Sequence, residues 1–199
     1  MTPNKRLKLA ASVDLGNDHM EFLRIVALGV LAAVSYGIVH DQVTARVCVE
    51  YFTIGHPPLI ASTSPTLLGL AWGVVATWWV GLPLGFILAV AARFGARPKV
   101  ALAQLTPLIL RLLATMATVA LLAGLVGYIL ARRGDISLPS GWAAIIPVSA
   151  QARFMADAWA HDASYLSGII GGLVIAVLAY RKRELRRDPF AGIPASSER

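Results

Sequence analysis

Cysteine occurs once in the chain, at Cys48. A single thiol cannot close an internal disulfide, and it cannot build a cysteine-based zinc or iron–sulfur site. Such a residue usually serves as a small apolar filler. Charge is scarce as well: 15% of the 199 residues carry it, against about 25% in a soluble domain. With 57% hydrophobic residues and a mean hydropathy of +0.66, the composition excludes an ordinary soluble domain. It implies a polytopic membrane protein folded as one compact bundle. No GxSxG, HExxH or P-loop pattern is present, so the common soluble-enzyme motifs lend no support. No lysine and arginine stripe is interleaved with aromatics either, so the net charge of +7 does not read as a nucleic-acid footprint.

That charge follows topology instead. Fourteen of the eighteen basic residues fall into three groups beside apolar runs, around Lys5–Arg24, Arg93–Arg111 and Arg181–Arg199. The positive-inside bias makes all three cytoplasmic; Arg132-Arg133 is the pair that fits least well. The expected fold class is all-α: a multi-pass inner-membrane protein with four transmembrane helices and both termini cytoplasmic. The spans are expected at about 22–39, 66–92, 108–131 and 163–180, within a transmembrane domain of 19–185. Residues 1–18 read as a mobile cytoplasmic tail, with Asp18 as N-cap and Glu21 as its capping-box partner. Residues 186–199 read as a disordered cytoplasmic tail. Ile25–Val39 has the length of a signal-peptide core, but its polar lead exceeds twenty residues and no Ala-x-Ala site follows, so it reads as an uncleaved first span. The helical pattern continues past it to about Phe52. Pro83, between Gly81 and Gly85, is expected to kink span 2. Thr106-Pro107 reads as the start of span 3. Tyr36 and Tyr165 read as interface anchors.

Ionisable groups gather where the first apolar run ends: His40, Asp41, Arg46, Glu50 and His56. A second His-Asp pair, His161-Asp162, stands just before span 4. Small residues repeat every four positions below each pair, Gly29, Ala33 and Gly37 in span 1 and Ser164, Gly168 and Gly172 in span 4. Such stripes let helices approach closely in lipid, so spans 1 and 4 are expected to pack along them and bring the tips together. Helical spacing then selects His40, Asp41, Asp157 and His161, the last two being i and i+4 on one face. Two imidazoles and two carboxylates suit one divalent ion such as zinc, manganese or iron, with Glu50 as a candidate base for metal-bound water. A ligand-free alternative knits the same groups into a network, with Arg46 bridging to Asp157 and Arg153 or Arg46 facing Glu50. A haem between His40 and His161 and a small ion or solute transporter are further alternatives. His56, ahead of two prolines, is a loop residue that can fold back over the site.

The stretches VHDQVTARVCVEYFTIGHPP and SPTLLGLAWGVVATWWVGLPLG, with the later ADAWAHDASYLSGIIGG, resemble a group of uncharacterised bacterial four-span membrane proteins. The resemblance implies a bacterial inner-membrane setting and no particular chemistry. Three function classes stay open: an outward-facing metal site, a structural or accessory membrane subunit, and a transporter. The lipid bilayer is the one partner expected outright, with a homo-oligomer or membrane partner left open and nucleic acid not expected. Nothing in the residues names a reaction.

Overall fold

The computed structural model describes residues 3–185; the expected C-terminal tail, 186–199, lies outside the described residues. Among these described residues seven helices follow in order: α1 (Pro3–Val47), α2 (Val49–Thr53), α3 (Pro65–Val75), α4 (Trp78–Arg93), α5 (Leu102–Arg133), α6 (Ser140–Ile145) and α7 (Val148–Leu185). No strand occurs among the described residues. Four segments are long and apolar enough to cross a membrane: Gly16–Val47, Pro65–Arg93, Leu102–Arg133 and Val148–Arg183. At about 1.5 Å per residue each exceeds the roughly 30 Å hydrocarbon core. The protein is therefore a multi-pass, all-α membrane protein, and its many exposed leucines, valines and isoleucines form the surface that meets lipid.

The expected pairing of spans 1 and 4 along their small-residue stripes is wrong. The stripe of span 1 packs on span 2 instead. A Cβ placed on Gly29 would lie 2.6 Å from the Cα of Gly85, and one on Gly73 would lie 2.5 Å from the Cα of Ile38. Span 4 turns its glycines elsewhere, Gly168 to Met116 of α5 and Gly172 to Leu84 of α4. Helices α1 and α3–α4 thus make one tight pair, α5 and α7 another, with α4 against α7 joining them. Along most of their length α1 and α7 stand apart.

Helix boundaries also differ from expectation. Span 2 breaks at Ala76–Thr77, not at Pro83. The Val80 amide bonds to Thr77, three residues back, which releases the Ala76 carbonyl from the helix ladder. The Tyr165 hydroxyl donates to that carbonyl at 3.1 Å. Irregular backbone at membrane depth survives only where a neighbour satisfies it in this way. Tyr165 therefore faces inward rather than anchoring the interface. Helix α1 begins at Pro3, so Asp18 is not its N-cap, while the stretch able to cross a membrane begins at Gly16, close to the expected start. The helix ends at Val47, and an extended Cys48 (φ −146°, ψ 96°) separates it from α2. Span 3 begins at Leu102, leaving Pro107 inside the helix. Its first amide is capped from another helix, the Glu21 carboxylate accepting from Leu102 N–H at 2.8 Å. The basic pair Arg132-Arg133 occupies the last turn of α5, closed by Gly134 at φ 80°; cations there face the negative end of the helix dipole.

Asp18 of α1 and Arg183 of α7 lie at one end of the bundle. Asp18 pairs with Arg93 at the end of α4 and with Lys99 in the loop between α4 and α5. The buried Arg183 of α7 reaches the same loop, donating to the carbonyls of Ala91, Phe94, Arg97 and Pro98. An apolar core at that end includes Ile25, Leu88, Leu105, Ile109 and Ile175. The candidate site occupies the opposite end.

Candidate functional site

At the end away from Asp18 and Arg183, α1 and α7 finally meet. The Tyr36 hydroxyl and Ser164 Oγ share a hydrogen bond of 2.8 Å, and one turn further out His161 Nε2 lies 3.2 Å from Asp41 Oδ1. The rings of His40 and His161 touch edge to face, with centroids 4.6 Å apart. One ligand atom from each of His40, Asp41 and His161 lies within 4.8 Å of the others. Asp41 and His161 are buried, and His40 is half-buried with no partner for its Nε2. The tips converge as expected, although the stripes below them do not, because the gap between α1 and α7 closes only at this end.

Hydrogen-bond logic sharpens the geometry. His161 Nδ1 is 2.8 Å from the backbone carbonyl of Asp157. A carbonyl only accepts, so Nδ1 carries the proton. In a neutral ring Nε2 then offers a lone pair, and it faces a carboxylate that also offers lone pairs. That approach needs positive charge, either a proton held by the pair or a metal ion between them. A shared proton leaves His40 Nε2 unpartnered, whereas a metal ion engages all three groups. The 3.2 Å separation of His161 Nε2 and Asp41 Oδ1 is close to the edge of about 3.3 Å expected of a tetrahedron with bonds of roughly 2.0–2.1 Å. The Asp157 carbonyl that holds the His161 ring is a typical outer partner of a metal-bound imidazole.

The other sequence candidates are placed differently. Asp157 is fully buried, with Oδ2 unpartnered, but its carboxylate lies outside the three-residue group and its backbone does the contacting. Glu50 sits on α2 and accepts from the Cys48 thiol at 3.3 Å, also outside the group. The Arg46–Asp157 bridge does not form. Arg46 is exposed and turns to α3, donating to Thr66 Oγ1 at 2.8 Å and to Gln42. Arg153 is exposed too, and neither arginine makes an ion pair among the described residues. A macrocycle has no slot between two imidazoles already in contact, which removes the haem arrangement.

Sequence reading missed the aromatic roof. The break at Cys48 redirects α2 so that Tyr51 stacks on the His161 ring, centroids 4.6 Å apart at 28°, with Phe52 at 5.8 Å. His56 does fold back, but behind this layer, taking the Tyr51 carbonyl at 2.8 Å and packing on Trp72. Burial raises the Tyr51 hydroxyl above its ordinary range, so it stays protonated. On the inner side Tyr36 stacks on His40 at 5.6 Å; it too is a site residue rather than an interface anchor. No glycine or proline marks the turn at Cys48, so nothing in the sequence signals that Tyr51 faces His161.

Below the three residues the space between α1 and α7 is an apolar cavity of about 120 Å³, lined by α1, α4, α5 and α7. It starts at His40, Asp41 and His161 and ends at Leu88, Ile109 and Ile175 of the inner core. Comparison of the chain with protein-family models, with curated proteins and with solved structures finds no match.

Proposed function

We propose that this protein is a bacterial inner-membrane metal-binding protein, with both termini cytoplasmic and one divalent ion held by His40, Asp41 and His161 on the outward side. The carrying observation is the set of three buried or half-buried ligand atoms that face one another, with His161 Nδ1 already committed to a carbonyl and His40 Nε2 without a partner. Two imidazoles and a carboxylate suit zinc, manganese or iron. Three ligands are one fewer than such an ion usually takes, the cavity adjoins them, and a bound ion would supply polarisation of an oxygen or activation of water. The basic groups beside the spans favour the cytoplasmic placement of the termini, and the resemblance to bacterial four-span proteins favours the inner membrane.

Metal content of protein purified without chelator tests the reading. Wild type is expected to hold close to one equivalent, and His161→Ala and Asp41→Asn are expected to lose it by at least about tenfold. A second reading has its own support: Tyr51 stacked on His161 also suits an imidazolium paired with Asp41, a helix lock with no metal. Metal-free wild type, with His161→Ala merely less heat-stable, would establish that lock and end the metal reading.

A further inference from the structure

We infer that the central cavity receives the hydrocarbon tail of a single-chain amphiphile whose anionic oxygen head sits at His40, Asp41 and His161. The inference rests on the metal-site reading for its choice of head group, and on the cavity for the tail.

Shape comes first. The lining on α7 runs from His161 to Ile175, fourteen residues, or about 21 Å by helical rise. The cavity is thus long and walled by helices along its sides, a shape that suits one extended hydrocarbon chain. Apolar cavities near 150 Å³ stay dry and accept apolar guests. The walls here are glycine, alanine, leucine, isoleucine and methionine, such as Ala33, Leu84, Leu113 and Met116.

Polarity comes second. Hydrogen-bonding groups cluster at one end only: Tyr36 with Ser164, Asp41 with His161, and the unpartnered His40 Nε2. The other end closes on the buried Leu88, Ile109 and Ile175. An ion conduit needs polar footing along its whole length, and this channel has a blind apolar floor. A molecule with one wet end and one oily end matches both halves. A cation held by His40, Asp41 and His161 would attract an anionic oxygen donor, which selects a carboxylate or phosphate head over an ammonium one. The surrounding bilayer is the source of such molecules.

The test uses purified full-length protein in detergent and three radiolabelled probes: hexadecanoic acid, hexadecyl phosphate and hexadecyltrimethylammonium. Metal content is measured on the same samples. Val80 lines the channel and belongs to no ligand set; Val80→Phe and, independently, Leu113→Phe fill it. Wild type is expected to retain the acid, the phosphate or both, and to release the ammonium. Each filled variant is expected to weaken retention on the order of tenfold while keeping its metal, which shows that it folds. Metal-loaded wild type that retains no anionic probe, or filled variants that retain it undiminished, would overturn the inference and leave the metal site standing. Retention by metal-free protein that is lost on filling would uphold the channel and overturn the metal reading instead.

Discussion

Cys48 shows how one residue separates reactive from inert chemistry. It is 1% exposed, and burial, with the Glu50 carboxylate beside it, pushes its thiol up to about 12. A free cysteine titrates near about 8.5, so raising pH from 7 to 9 converts it largely to thiolate, while Cys48 stays protonated. The expected outcome is negligible maleimide labelling of the folded protein at both pH values and complete labelling in denaturant. Labelling that climbs with pH like that of a simple thiol would contradict the burial. The role of filler was legible because a lone cysteine offers little else. His40, Asp41 and His161 were legible because the chain has only four histidines, and two of them stand beside aspartates at the ends of apolar runs. Tyr51 was not. No glycine or proline marks the break at Cys48, so helical periodicity carries straight past it to about Phe52.

Four elements were legible as spans because uncharged runs of this length have few other uses. Their pairing was not, because a stripe of small residues complements any other such stripe. Span 2 carries Gly69, Gly73, Thr77, Gly81 and Gly85 at intervals of four, the fullest stripe in the chain, and it is the one that meets span 1. Pro83 stands between two of its glycines and reads as a kink site instead. The close approach makes a sharp prediction. Gly73→Ala places a methyl 2.5 Å from the Cα and amide nitrogen of Ile38, backbone that cannot yield locally. It is expected to cost about 1–3 kcal/mol of unfolding free energy, measured by denaturation in micelles. Gly141→Ala, which meets nothing within 4 Å, is the control and is expected to leave stability unchanged. Equal behaviour of the two would refute the packing of α1 on α3.

For the whole molecule, the loop between α4 and α5 holds the end opposite the site. Arg183 is 1% exposed and spreads its guanidinium over carbonyls of residues 91, 94, 97 and 98. The planar fork is what reaches them all; an ammonium cannot reproduce it. Arg183→Lys is expected to lower stability by about 1–3 kcal/mol through carbonyls left without donors, whereas Arg181→Lys, on the exposed face, should stay within about 0.5 kcal/mol. Sequence assigned both arginines to one basic flank, since charge counting cannot tell a guanidinium in solvent from one seated on backbone. The same loop receives Asp18, and Glu21 caps the helix that leaves it. Order of synthesis thereby becomes order of closure. Two carboxylates made early must wait for a whole hairpin to be threaded before finding their partners, and a cation from α7 reaches the same loop later still.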